Sequence, residues 1–195
     1  MNYCEKDFID QIRSLLSSRQ RRGIEHPPFS HAAVLVPVFN KDGSCHLLFT
    51  KRSEEVKYHK GEISFPGGVV DEDDSELIST ALREAFEEIG LKESDVRIIG
   101  LLDDIVTITQ FIVTPIVGLF PYPYPFKVSE AEIAELIEVP LSFLLDENCF
   151  SESEIFRGGQ NEIVYNYQYG HHIIWGATAK ILKQFLDLIT SARDS

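Results

Sequence analysis

Cysteine, methionine and tryptophan are scarce, at three, one and one among 195 residues. Cys4, Cys45 and Cys149 are odd in number and far apart, with no Cys-x-x-Cys pair. That spacing argues against a disulfide framework and against a zinc site, and free thiols in a reducing compartment are the simpler reading. Basic residues are also in deficit: 18 Lys and Arg stand against 31 Asp and Glu, a formal charge of -13. A broad grip on nucleic acid phosphates requires a basic face, so nucleic acid is not an expected partner. No apolar run approaches the roughly 18–20 residues of a membrane helix. The opening Met1-Asn2-Tyr3-Cys4-Glu5-Lys6-Asp7 lacks the basic start and apolar stretch of a secretory signal, so no membrane partner and a cytoplasmic location are expected. Also missing are a GxSxG elbow, a GxxxxGK[ST] phosphate loop and an HExxH pair, which leaves nucleophilic acyl transfer and P-loop hydrolysis without support. His171-His172 has no cysteine partner at zinc spacing, and His26, His31, His46 and His59 are scattered, so all are assigned to packing or surface hydrogen bonding.

What is present is the composition of a folded protein, 44% hydrophobic and 25% charged. The length fits one domain over residues 1–195, with no internal repeat or composition shift. Helical spacing of Phe8, Ile9, Ile12, Leu15 and Leu16 predicts a leading helix over about residues 5–18. Two apolar runs, 32–39 and 45–50, flank Asn40-Lys41-Asp42-Gly43 and read as a hairpin, with Pro37 requiring a free side on its strand. Leu77, Ile78, Ala81, Leu82, Ala85 and Ile89 form one face of a helix over 76–89, capped by Gly90. Strands follow over 96–101, 111–120 and 132–139, with another around 164–169. Ile173-Ile174-Trp175-Gly176 leads into a closing helix over about 176–192. Between two of these strands, Pro121-Tyr122-Pro123-Tyr124-Pro125-Phe126 is a stiff loop whose aromatics line an adenine pocket or a partner surface, which periodicity leaves open. A mixed sheet covered by helices is the economical architecture, an α/β (α+β) fold.

The decisive segment is Arg83-Glu84-Ala85-Phe86-Glu87-Glu88-Ile89-Gly90-Leu91. Glu84, Glu87 and Glu88 stand at i, i+3 and i+4 and crowd one side of the helix, each like-charge pair costing about 0.2–0.5 kcal/mol. Acids in a last helical turn also oppose the macrodipole. Two readings are open: a solvated acidic face relieved by Arg83, or a cation site. The preceding Phe65-Pro66-Gly67-Gly68 turn could supply a bare backbone carbonyl to an all-oxygen site for Mg²⁺ or Mn²⁺. Just upstream, Lys51, Arg52, Lys57 and Lys60 gather four of the 18 basic residues within ten positions. They read either as a solvated loop balancing nearby acids or as a grip on a polyanion.

Gly68, the acidic loop Asp71-Glu72-Asp73-Asp74 and the glutamate helix together resemble the Nudix box, the motif of hydrolases that cleave a nucleoside diphosphate linked to another group. One residue is inserted: Asp74 takes the place of the first glutamate, and eight residues separate it from Arg83. The resemblance implies an α/β/α sandwich with a mixed central sheet, and Mg²⁺ or Mn²⁺ held by Glu84, Glu87, Glu88 and the backbone of Gly68. Arg83 would orient Glu84 or Glu87, and a base or further ligand would come from outside the box, with Glu130 and Glu132 the candidates. The upstream stretch Leu47-Leu48-Phe49-Thr50-Lys51-Arg52-Ser53, Lys57, Gly61 and Phe65-Pro66-Gly67-Gly68 is similar to the coenzyme A pyrophosphatase branch, departing from it at Phe49 and Lys57. So are residues 132–141 and Trp175-Gly176-Ala177-Thr178-Ala179. The branch implies cleavage of coenzyme A to adenosine 3′,5′-bisphosphate and 4′-phosphopantetheine, substrate contacts from Lys51, Arg52, Lys57 and Phe65, and allows a homodimer. The box alone permits ADP-ribose, dinucleotides or nucleoside triphosphates equally, and a catalytically silent nucleotide sensor on the same fold is the reading from another class.

Overall fold

The computed structural model describes residues 6–24, 28–157 and 160–193. Cys4 and His26 lie outside them. The leading helix α1, Lys6–Ser18, buries Phe8, Ile9, Ile12 and Leu16, the residues that recur on one side. After a connector the chain forms the expected hairpin, β1 (Ser30–Lys41) and β2 (Ser44–Arg52). Its two turn residues, Asp42 and Gly43, both have positive φ (51° and 81°), the geometry whose twist suits paired strands. Asn40 Oδ1 accepts the Gly43 N–H at 2.9 Å.

β1 is the centre of an eight-stranded sheet that also contains β3 (Ile63–Ser64), β4 (Gly67–Val69), β5 (Arg97–Leu101), β6 (Ile105–Val106), β7 (Phe111–Leu119) and β8 (Ile133–Pro140). The main path runs β3-β2-β1-β7-β5, with β8 on β2, β4 on β1 and β6 on β7. β1 and β7 are parallel while the other pairs are antiparallel, so the sheet is mixed, as expected. Pro37 sits on this central strand without breaking a ladder. On one side β4 takes Ala32–Val34 and β2 takes Val38–Lys41, and the proline falls in the gap.

Helices cover both faces. On one, α2 (Leu77–Ile89) lays Ala81, Leu82, Ala85 and Ile89 against Ala33, Leu35, Leu48 and Ile116. On the other, α1 and the closing helix α4 (Gly176–Arg193) share a larger core with Val36, Phe49, Ile137 and Val139. The short strands β3, β4 and β6 escape the sequence reading, and so do three later elements. A short helix α3, Leu141–Leu144, follows β8, and a second sheet of order β11-β10-β9 is built from β9 (Phe150–Arg157), β10 (Gln160–Tyr169) and β11 (His172–Trp175). β9 is missed because Ser151-Glu152-Ser153-Glu154 is polar and exposed, leaving no apolar run to read, and β11 is too short to separate from the helix behind it. Tyr167 and Ile174 bury this sheet's inner side in the larger core.

One expectation is corrected. Cys45 is disulfide-bonded, so among the described residues the free-thiol reading holds for Cys149, which is buried; distance along a chain does not limit approach in space. The aromatics of the proline-rich loop pack onto the chain's own core, with Tyr122, Tyr124 and Phe126 each half-buried. Tyr122 stacks on Phe39 at 4.8 Å between centroids, and Tyr124 and Phe126 meet Phe120 edge-on. Tyr124 Oη donates to the Asp95 carboxylate at 2.8 Å and accepts the Lys92 N–H at 3.0 Å, fixing the loop beside the end of α2.

Candidate active site

α2 ends where Gly90 turns to φ 70°, a left-handed cap that returns its N–H to Phe86 at 2.9 Å. The carbonyls of the last two helical residues are claimed by the strand-bound loop: Lys127 N–H reaches Ile89 O at 3.0 Å and Ser129 N–H reaches Glu88 O at 2.8 Å. The same loop continues to Glu132, whose carbonyl accepts the Ser53 N–H at 2.7 Å. Main-chain bonds thus bring together three segments: the last turns of α2, the start of β8 and the end of β2.

Glu84, Glu87 and Glu88 line this junction with unequal exposure. Glu87 is open, with 55% of its side chain accessible, while Glu88 is 2% exposed. Burial pushes the Glu88 carboxyl up to about 8, against a lowering contribution from Arg52. Arg52 Nη1 lies 3.6 Å from Glu88 Oε1, an ion pair longer than a hydrogen bond, and Glu88 Oε2 is buried with no hydrogen-bond partner. Burial likewise raises Glu84, with Glu87 and Glu132 adding repulsion to the opposing effect of Arg83. Glu132 also repels Glu88, so it faces both box carboxylates.

Arg83 organises the other side. Its Nε and Nη2 take both oxygens of Asp74 at 3.1 and 3.0 Å, Nη1 reaches Glu84 Oε1 at 2.9 Å and Glu87 Oε2 at 3.2 Å, and Nη2 also meets Val69 O at 3.2 Å. The forked contact holds the Asp74 carboxyl well below the usual carboxylate range. Asp74, displaced in the motif by one inserted residue, still anchors the arginine. The sequence signal for it is its place six residues after Gly68.

Gly68 provides close approach. A Cβ there would overlap the Glu84 carboxylate, so the glutamate lies against bare backbone. A partnerless buried carboxylate oxygen, a carboxylate seated on an unshielded glycine and a donor set made wholly of oxygen fit a hard divalent cation.

The sequence matches the NUDIX domain family over residues 29–136. The chain belongs to the Nudix family. An uncharacterized Nudix hydrolase, NudL, of Photorhabdus laumondii subsp. laumondii is 39% identical over 178 residues, 91% of this chain and 94% of the relative. A second uncharacterized NudL, from Escherichia fergusonii, is 35% identical over 178 residues, 91% of each chain. Among solved structures, a MutT/nudix family protein from Enterococcus faecalis aligns with TM-score 0.53 at 14% identity, over 97% of this chain and 73% of that one. The MutT protein from Methanosarcina mazei Go1 aligns with TM-score 0.50 at 20% identity, over 91% and 97%. As a Nudix hydrolase the chain cuts a pyrophosphate bond in a nucleoside diphosphate-linked compound, and Nudix enzymes generally use divalent metal ions. No described helix is long and apolar enough to cross a membrane.

Of the residues singled out for the Nudix substrate, Arg52 stands at the junction, 3.6 Å from Glu88. The register between β2 and β8 slips between Lys51 and Arg52, so that Lys51 pairs with Glu135 but Arg52 with Ile133. Such a bulge re-aims the side chains that flank it. Lys51 alternates to the opposite face of the sheet from Arg52. Phe65 is 2% exposed and stacked on Phe49 at 4.7 Å, supporting the glycine turn from the core side, where it offers no ligand face. Lys57 is on an exposed loop with Nζ 5.1 Å from the Tyr58 ring centroid.

Proposed function

We propose that this Nudix hydrolase cleaves the diphosphate of coenzyme A or its derivatives, releasing adenosine 3′,5′-bisphosphate and 4′-phosphopantetheine. The observation that carries this reading is Arg52. It belongs to the Leu47-to-Gly68 stretch resembling the coenzyme A branch, and it stands 3.6 Å from Glu88 at the heart of the carboxylate cluster. Lys57 and Lys60 follow on the exposed connection between β2 and β3. A diphosphate plus a separate 3′-phosphate is a ligand that such a basic stretch suits.

Glu84, Glu87 and Glu88, with the Gly68 backbone, would hold Mg²⁺ or Mn²⁺. Ions of this kind neutralise phosphate oxygens and acidify bound water. The protein's own work is positioning, which dominates phosphoryl-transfer catalysis. Arg83 fixes the rotamers of Glu84 and Glu87 by its shared Nη1, braced by Asp74. Glu132 accepts the proton of the attacking water as the new bond to phosphorus forms and the bridging P–O bond breaks. Arg52 offsets charge on the bound diphosphate.

The test is product identification. Pure protein incubated with coenzyme A and Mn²⁺ is expected to release adenosine 3′,5′-bisphosphate. Faster turnover of ADP-ribose, a dinucleotide or a nucleoside triphosphate in parallel assays would replace the branch, and tight binding of all of them without turnover would favour a sensor.

A further inference from the structure

We propose that Glu135, His171 and His172 form a second metal site, for a Zn²⁺-class ion, on the face of the sheet opposite the carboxylate helix. One ligand atom from each of the three residues lies within 4.8 Å of the others. The His172 Nε2–Glu135 Oε1 separation is 3.4 Å. Zinc bonds of about 2.0–2.2 Å arranged as a tetrahedron imply ligand-to-ligand edges of about 3.3–3.6 Å, and this pair already has that spacing. It is longer than the roughly 2.7–3.2 Å of a good hydrogen bond.

The local backbone explains how adjacent histidines can serve one ion. On a straight strand neighbouring side chains point to opposite faces. Here Gly170 and His171 are the two turn residues between β10 and β11, closed by the Tyr169–His172 pair, and Gly170 has φ 59°. The turn swings the His171 ring beside that of His172, with centroids 3.9 Å apart. His172 is buried at 8% exposure, whereas the Glu135 side chain is 43% exposed and His171 is open. A coordinated ion would therefore keep a solvent-facing fourth position.

The site is separate from the hydrolytic one. Along β8, Leu136 faces the core under α2 and Ile137 the core under α1 and α4, where its β2 partner Phe49 also lies. Glu135, two residues before Ile137, therefore lies on the α1 and α4 face. Two nitrogens and one carboxylate suit zinc and its late first-row neighbours, unlike the all-oxygen cluster near Glu88. Occupancy would tie the tip of the small sheet to β8 of the main one.

Titration of the full chain with Co²⁺ tests this, because tetrahedral Co²⁺ absorbs strongly in the visible and oxygen-bound octahedral Co²⁺ does not. The expected result is one equivalent with a tetrahedral spectrum, displaced by Zn²⁺, weakened more than tenfold in both His171→Ala and Glu135→Gln and retained in Glu88→Gln. His171 is an exposed turn residue, so its replacement leaves the fold in place. A missing tetrahedral signal, a signal unchanged in both of the first two variants, or one lost in Glu88→Gln would overturn the proposal whether or not coenzyme A is the substrate.

Discussion

Asp104 and Glu88 are both carboxylates sealed from solvent, with 5% and 3% of their side chains exposed, yet their surroundings differ in kind. Asp104 is saturated. It pairs with Arg21, accepts from Thr114 Oγ1 at 2.6 Å and takes the Ile24 N–H at 2.8 Å, while its own N–H reaches Arg22 O at 3.0 Å. With Asp103, which Arg19 and the Arg22 N–H engage at 2.6 and 3.0 Å, it pins the connector after α1 to the sheet. Glu88 has one distant arginine, a main-chain contact from Gly67 and an oxygen with no hydrogen-bond partner. Burying a charge is costly unless it is paired, so an acid left in that condition marks a place kept for something else. Depth does not distinguish a structural acid from a functional one; the completeness of its hydrogen bonding does.

Exchanging the two acids for their amides breaks the comparison most sharply. Glu88→Gln should lower metal-dependent turnover by at least ~100-fold, about 2.7 kcal/mol of barrier, with thermal stability held or raised. Turnover within tenfold of wild type, measured by product release, would remove Glu88 from the metal set. Asp104→Asn should do the reverse, costing about 1.5–3 kcal/mol in denaturant unfolding while kcat per folded molecule stays within twofold or so.

A smaller effect concerns pH. The folded Glu88 carboxyl sits near 8 against 4.5 for the free group. Between those values the unfolded chain gives up a proton that the native state retains, so stability without metal falls as pH rises from 4.5 to 8 and levels off above. Thermal melts in chelator should show that decline. Glu88→Gln should flatten it, and Mg²⁺ or Mn²⁺ should raise the melting temperature most at the alkaline end. Identical pH slopes in wild type and Glu88→Gln would refute the assignment. The smallest effect is expected at Lys57, an exposed side chain on a loop: Lys57→Ala should raise KM for coenzyme A a few-fold and leave kcat nearly intact, in steady-state assays at low salt.

Much of this was readable beforehand, for identifiable reasons. The α2 face, its Gly90 cap and the Asp42-Gly43 turn are local patterns whose geometry follows from adjacent residues, and each stands where the spacing put it. The pairing of Arg83 with Glu84 and Glu87 is also local, at i+1 and i+4. What stayed hidden depends on partners distant in sequence. Lys51 and Arg52 are neighbours of like charge, and only the β8 register separates one from the other at the site. Phe65 reads as a ligand contact until Phe49 is found beneath it. His171-His172 looks like surface decoration because the carboxylate that joins it, Glu135, arrives on another strand. Cys45 forms its disulfide for the same reason, through space.

The main-chain bonds from Lys127 and Ser129 to the final carbonyls of α2 ask nothing of side chains. Composition between 127 and 131 is therefore free to drift, whereas length is not. Adding or deleting one residue there would slide Glu132 out of phase with Glu84 and Glu88 as a tooth skips on a gear, and would silence hydrolysis in a chain whose every named side chain was untouched.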